Sequence, residues 1–393
     1  MNDRTTFLSI LGAAALVSLS TAARAQEANQ IRVGSIWATS GAASSLGLAG
    51  AQGVRLAVAE INKEGFKVGD KLYKLQLIEV DTKSDPNTAL NGIGRLVERD
   101  RVSVVFGDIV GTSTKPMIDV TQRNKVPHFA PPLIAQAAVN ETPDKVPYLI
   151  NSNNPYGGAN GVLTAFGTKA FAKFGIKTAV LVNQDEASSR IISPLFRQSF
   201  EKAGGKILAD EYLPSSTTDF SAVISRLKAL NPDALFLGYS DTWMVPFVTQ
   251  ARQANLAKWY IGAPGASTVP ATKTGSTTFD NYLYVAPVVG LTDDRPGMVN
   301  FVKRYEAFNG TKSSAQDALA MLSYPWVYVW VEAMKKAGDV GNPDKIMASL
   351  RGQRFEFPDG PVPAVRVLPN GQGATSFQVC SLTLSPPCER VDQ

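Results

Sequence analysis

The chain has 393 residues, more than one hydrophobic core usually serves, so two lobes or domains are expected from length alone. Its 44% hydrophobic and 19% charged residues are those of an ordinary globular protein. The net charge of +5 is small for this length, and the longest basic cluster is the pair Lys335 and Lys336, which leaves nucleic-acid binding little support.

The first elements form an export signal. Arg4 gives a positive start, Phe7 to Leu19 a short apolar run, and Ala23-Arg24-Ala25 the small-x-small pattern of a signal peptidase site. The run is too short for a permanent membrane helix. Residues 1–25 are therefore read as a signal peptide and the mature protein as exported; a plain tail or an uncleaved anchor is the alternative. No cysteine follows the expected cleavage site, which argues against a lipid anchor there.

Beyond residue 30 the sequence alternates short β-rich runs with amphipathic ones. Strands are expected at Ile31–Trp37, Leu75–Asp81, Val102–Phe106, His128–Ala130, Thr178–Val182, Ile207–Leu213, Ala234–Gly238 and Trp259–Gly262. Helices are expected at Leu48–Asn62, Asn87–Arg99, Ser113–Arg123, Ala159–Phe174, Pro194–Ala203, Phe220–Ala229 and Trp243–Asn255. In the first of these, Val54, Leu56, Ala57, Val58 and Ile61 make a broad apolar stripe. Asp219 precedes Phe220 as an N-cap. After Pro287 come helices at Met298–Phe308, Ala315–Ala337 and Pro343–Leu350, then a stretch rich in Pro and Gly.

Such alternation predicts an α/β protein of two doubly wound parallel-sheet lobes joined by three crossover strands. The crossings are expected near Lys145–Tyr148, Pro287–Thr292 and Arg354–Gly360. One lobe then takes residues 26–147 and 288–354, the other 148–287 and 355–393. Ligands of such sheets sit beyond the carboxyl ends of the strands, which here makes the site a cleft between lobes.

Enzyme chemistry finds no footing. There is no Gly-x-Ser-x-Gly elbow, no Gly-x-x-x-x-Gly-Lys loop and no zinc-type histidine pair. His128 is the lone histidine, sits between Pro127 and Phe129, and reads as structural. The two cysteines, Cys380 and Cys388, are expected to pair in an oxidising compartment and to staple the tail. Two thiols without further ligands make no metal site, and no cofactor is implied.

Several stretches carry a family resemblance. They are Thr39-Ser40-Gly41 with Gly47, Gly53, Leu56-Ala57 and Ile61-Asn62; Asp81 with Asp85-Pro86; Val104–Gly107, Thr112-Ser113-Thr114, Pro116 and Val126-Pro127; and Thr218-Asp219-Phe220, Pro232-Asp233 and Gln250-Ala251. In this order and spacing they resemble the periplasmic substrate-binding proteins of branched-chain amino acid type ABC transporters. The likeness runs from about Ile31 to about Gly373. It implies a type I periplasmic binding protein with a small-molecule ligand, a membrane permease as partner, a monomeric state and a periplasmic location.

The residues suggest what the cleft holds. Gly41 and Gly47 bracket a loop of small residues where backbone could approach a ligand. Thr112, Ser113 and Thr114 open a helix, where N–H groups, hydroxyls and the helix dipole suit a carboxylate; simple N-capping is the plainer reading. The resemblance places the acidic partner of a ligand ammonium at Pro264, an aromatic contact at Ala187, and small or hydroxyl contacts at Pro132, Leu133 and Ile134. These replacements give a more apolar pocket without a counter-charge for an amino group, although Asp241, Asp185 or Glu186 could supply one. Trp37, Leu46 and the Tyr239-Ser240-Asp241 segment are candidate walls, with Trp243 read as core. Arg190 reads as the partner of a surface acid, and Tyr324 as the aromatic of the last long helix best placed to reach the cleft. The expected ligand is a small organic carboxylate, aromatic before branched aliphatic, with a free amino acid as the alternative. A ligand sensor of the same fold is a second alternative.

Overall fold

The computed structural model describes residues 29–154, 161–238, 241–263, 277–287, 293–313, 317–381 and 388–391. The first lobe opens with β1 (Asn29–Trp37), α1 (Ser44–Glu64), β2 (Phe66–Val68) and β3 (Lys71–Asp81). It continues through α2 (Pro86–Gly94), β4 (Val104–Phe106), α3 (Gly111–Arg123), β5 (His128–Ala130), α4 (Leu133–Glu141) and β6 (Leu149–Asn151). These strands make one sheet in the order β2-β3-β1-β4-β5-β6, parallel apart from the β2–β3 pair.

The second lobe follows with α5 (Val162–Phe174), β7 (Thr178–Gln184), α6 (Ala187–Lys202), β8 (Lys206–Leu213) and α7 (Ser221–Lys228). Then come β9 (Ala234–Gly238), α8 (Asp241–Gln253), β10 (Trp259–Gly262) and β11 (Tyr282–Pro287). The chain adds α9 (Pro296–Asn309), α10 (Ala318–Ala337) and α11 (Pro343–Leu350) to the first lobe, and a small sheet of β12 (Arg354–Glu356), β13 (Ala364–Val367) and β14 (Gly373–Thr375). Finally β15 (Phe377–Cys380) and β16 (Cys388–Val391) join the second sheet, whose order is β16-β15-β11-β10-β9-β7-β8.

Alternation along the strands explains why each sheet is covered on both faces. In β7, Ala179 and Leu181 enter one apolar cluster while Val180 and Val182 enter another. In β9, Ala234 and Phe236 join the first of these and Leu235 and Leu237 the second. The first lobe repeats the pattern, with Val104 and Phe106 on one side of β4 and Val105 on the other. Strands buried on both faces read as unbroken apolar runs, which is why VVF and ALFLG are legible as parallel strands.

Local signals place the helices. Asp85 caps α2 by accepting the Thr88 N–H at 2.7 Å, with Pro86 in the first turn. Asp219 is not the N-cap expected of it: α7 starts one residue later with Phe220 as N-cap and no side-chain capping bond, and Asp219 accepts the Ser221 N–H at 2.9 Å from outside the helix. The stripe Val54, Leu56, Ala57, Val58 and Ile61 is buried, and α1 packs on α10, where Ser323 Oγ donates to Gly50 O at 2.8 Å. The aromatic-rich stretch around Pro325 is one continuous helix.

The structure adds elements that periodicity did not give. α4 starts directly after Pro131-Pro132, and β6 is only three residues long. β6 carries the first sheet to Asn151, and β13 buries Val365 and Val367 in the first lobe's core beside Val362. We place the first crossing after Asn151 and the third near Ser376, both later than composition suggested. The Pro and Gly between Arg354 and Gly373 mark turns of a small sheet packed on the first lobe's core.

Candidate functional site

In each sheet the strand order reverses beside the lobe's first strand, at β1–β4 and at β7–β9. A crevice opens at the carboxyl ends there. On the first lobe this edge is organised by Asp108, which follows β4 and is fully buried. Its Oδ1 accepts from Ala38 N–H (3.1 Å) and Ile109 N–H (2.6 Å), and its Oδ2 from the Thr82 hydroxyl (2.7 Å). One carboxylate thus ties together the loops after β1, β3 and β4. Burial raises its pKa, and these bonds pull the other way. Nothing in composition or periodicity marks Asp108; an acid directly after a buried apolar strand is the one signal it leaves.

His128 supports the same edge from β5. It is buried, its Nε2 bonds the Gly107 carbonyl, and its Nδ1 stands 3.5 Å from Thr121 Oγ1. Burial lowers its pKa to about 4, so the ring is neutral at neutral pH and donates from Nε2. The structural reading of this histidine agrees with that geometry.

The first turn of α3 separates its three candidates. Thr112 is exposed. Thr114 is buried and its hydroxyl donates to the carbonyls of Asp108 (3.0 Å) and Val110 (2.9 Å), so it holds the turn together and is not open to a ligand. Ser113 is fully buried, and its Oγ has no partner among the described residues. A side chain at Gly111 would meet Ile134 Cγ2 at 3.8 Å, so the first turns of α3 and α4 adjoin. Leu133 and Ile134 are half-buried in that turn of α4, and Leu133 packs against an apolar cluster of the second lobe. This contact brings the two lobes' edges together.

Other expectations are corrected. Trp37 is 2% exposed and its ring lies where a side chain at Gly50 would sit, so it fills the core under α1 and is no cleft wall. A Cβ at Gly47 would stand 2.0 Å from the Ala38 carbonyl, and one at Gly41, where φ is +84°, 2.4 Å from that of Lys83. Both glycines therefore permit close approach within the lobe, and not by a ligand. Tyr324 donates to Glu60 and packs on Phe301, away from the cleft edge. Leu46 is 43% exposed in the first turn of α1. Asp241 opens α8, while Tyr239, Ser240 and Pro264 lie outside the described residues.

On the second lobe, Arg190 donates to Asp185 at 2.6 and 3.0 Å and lies over the Tyr212 ring, 4.6 Å from its centre. That removes both Arg190 and Asp185 from the list of free charges. Glu186, at the N-cap of α6, makes no capping bond; its Oε1 is shut from solvent without a partner among the described residues. Gln184 Oε1, at the end of β7, is in the same condition. Cys380 and Cys388 are disulfide-bonded across β15 and β16. Among the described residues there is no cluster of metal-ligating side chains and no helix long and apolar enough to cross a membrane.

Buried amides tie the crossings to the ligand edge. Gln372 Nε2 stands 2.9 Å from Asn151 Oδ1, 2.7 Å from Asn153 O and 2.7 Å from Gly373 O. Asn151 Nδ2 in turn donates to the carbonyls of Ala130 (2.9 Å) and Pro132 (3.2 Å), the residues that lead into α4. Trp326 Nε1 holds Ser152 O at 2.9 Å. None of these residues stood out in the sequence.

Two doubly wound lobes with their ligand edges adjoining define a two-lobed solute-binding architecture. A model of the periplasmic binding protein family matches residues 30–383, and the chain belongs to that family. It is a periplasmic solute-binding protein of the ABC-transporter kind, and proteins of this family and fold are not enzymes. The leucine-, isoleucine-, valine-, threonine- and alanine-binding protein of Pseudomonas aeruginosa is 24% identical over 308 residues, 78% of each chain. A leucine-binding protein of Thermotoga maritima superposes with a TM-score of 0.72 at 20% identity, covering 92% of this chain and 97% of that one. A solute-binding protein of R. palustris in complex with benzoate gives 0.71 at 20% identity, covering 93% and 96%.

Proposed function

We propose that this protein captures a small organic carboxylate, an aromatic acid before a branched aliphatic one, and delivers it to the permease of an ABC importer. The observation that carries the reading is the buried, unpartnered hydroxyl of Ser113 in the first turn of α3, beside the apolar first turn of α4. First-turn N–H groups have no partner within their own helix, and the dipole there favours an anion. Leu133 and Ile134 give the adjoining surface its apolar character. The relatives named above bind benzoate in one case and aliphatic amino acids in others, so both ligand classes fit the fold.

Capture follows from hinge closure, which makes binding tight only if the ligand touches both lobes. The export signal completes the reading, with a mature N-terminus at Gln26. A thermal-shift screen of aromatic acids, branched aliphatic acids and free amino acids tests the ligand class, because a bound ligand raises the melting point by mass action. Benzoate-type acids are expected to give the largest shifts. Strong shifts with leucine, isoleucine or valine alone would overturn the aromatic-acid reading.

A further inference from the structure

We infer that Glu186 is a ligand-contacting, specificity-determining residue: it accepts a hydrogen bond from a donor group carried by the ligand at the end away from its carboxylate. The inference rests on the carboxylate reading of the cleft and narrows it to acids that bear a second, donating group, a hydroxyl or an ammonium.

Position comes first. Glu186 follows β7 and sits where the second sheet's strand order reverses, between the β7 and β9 ends. It lies beside the second lobe's switch point, after the strand that corresponds to β1, as the α3 edge lies beside the first lobe's switch point after β4. Leu133, in the first turn of α4, packs against the second lobe's apolar cluster, so the two lobes touch beside the α3 and α4 turns.

Among the described residues the side chain has no partner there. A residue at an N-cap usually turns its oxygen back to the helix N–H groups, but Glu186 makes no such bond. The nearest arginine in sequence, Arg190, is held by Asp185 and stacked on Tyr212. No ion pair to Glu186 exists among the described residues, and its Oε1 is screened from water. Burial alone accordingly raises its pKa. A shielded carboxylate oxygen without a donor is costly to keep, and a ligand donor removes that cost on binding. Gln184 Oε1, two residues earlier and equally without a donor, adds acceptor character to the same strand end.

The two edges are therefore complementary in kind. The first lobe offers donors, namely the N–H groups of the α3 turn and the Ser113 hydroxyl; the second offers acceptors. A ligand with an anion at one end and a donor at the other satisfies both and bridges the lobes. A bare acid satisfies only the first. A site built to receive a donor rejects the analogue that lacks it, because the site's buried acceptor is then left unpaired.

The test is calorimetry on the purified mature protein with matched acids: benzoate against 4-hydroxybenzoate, and 3-phenylpropanoate against phenylalanine. The wild type is expected to bind one donor-bearing acid at least about tenfold more tightly than its bare partner, the value of one bond to a charged group. In Glu186→Leu the preference should collapse to near unity while the ligand-free melting point holds or rises. Glu186→Gln keeps an acceptor oxygen but no charge, so it should retain a hydroxylated ligand and lose an ammonium-bearing one, which tells the two sources of the donor apart. Equal binding of bare and donor-bearing acids by the wild type, or a preference that survives in Glu186→Leu, overturns the inference and leaves the carboxylate reading standing. Failure of every carboxylic acid to bind overturns both.

Discussion

Asp108 and Glu186 both stand where a lobe's strand order reverses, Asp108 after β4 and Glu186 after β7, its lobe's first strand, and burial raises the pKa of both. Their surroundings differ. Asp108 receives two backbone N–H groups and a hydroxyl and is complete without a ligand. Glu186 has an oxygen, Oε1, without a partner among the described residues. The first lobe's edge is thus a finished frame on which the α3 and α4 turns are mounted, whereas the second lobe's edge is left incomplete. A buried acceptor with donors stabilises the fold, and one without them costs stability until a partner arrives.

The sharpest way to break this comparison is to truncate both acids. Asp108→Ala strands the Ala38 and Ile109 N–H groups and the Thr82 hydroxyl, and should cost about 3 kcal/mol or more of unfolding free energy in urea titrations. Glu186→Leu should leave the urea midpoint unchanged or raise it. A loss at Glu186 as large as that at Asp108 would mean that both edges are structural.

A second test uses the proton. The folded chain keeps His128 neutral down to about pH 4, whereas an unfolded histidine takes up its proton near 6.5. Its contribution is therefore full above about pH 6.5 and is lost as pH falls towards 4, by about 3 kcal/mol. Urea titrations at pH 7, 5.5 and 4 should show that fall, and His128→Gln should show a smaller one. Equal slopes in the two proteins would remove His128 from the account of the first lobe's frame.

The smallest effects separate neighbours in one turn. Ser113→Ala deletes a hydroxyl with no partner in the free protein, so the ligand-free melting point should hold while affinity for a bound acid falls by about 1–2 kcal/mol. Thr114→Val removes two bonds to carbonyls and should lower stability by about 1 kcal/mol in the ligand-free protein. Melting points and calorimetry on the pair decide whether the turn divides its work in this way.

Much of the frame was legible in advance because it depends on local chemistry. Apolar runs such as ALFLG read as strands covered on both faces, whereas the cap that Asp85 gives α2 came to light only in the structure. The site was legible only in part. Thr112, Ser113 and Thr114 look alike in sequence, yet one is exposed, one is buried without a partner and one is bonded into the turn. Trp37 ends a strand at the ligand edge, but its ring turned inward because Gly50 leaves space for it under α1.

By itself the sequence determined the alternating β and α elements, the two-lobed plan and the pairing of Cys380 with Cys388, since these follow from periodicity, backbone preference and the chemistry of near neighbours. Only the tertiary structure decided that Asp108 would gather three loops, that Gln372 and Asn151 would tie a crossing to the α4 turn, and that Glu186 Oε1 would have no partner among the described residues. Each of those facts depends on which groups from distant parts of the chain arrive within hydrogen-bonding distance, from 26 residues away for Thr82 to 221 for Gln372. A side chain's identity fixes what it can bond, but the assembled fold fixes whether a partner is there.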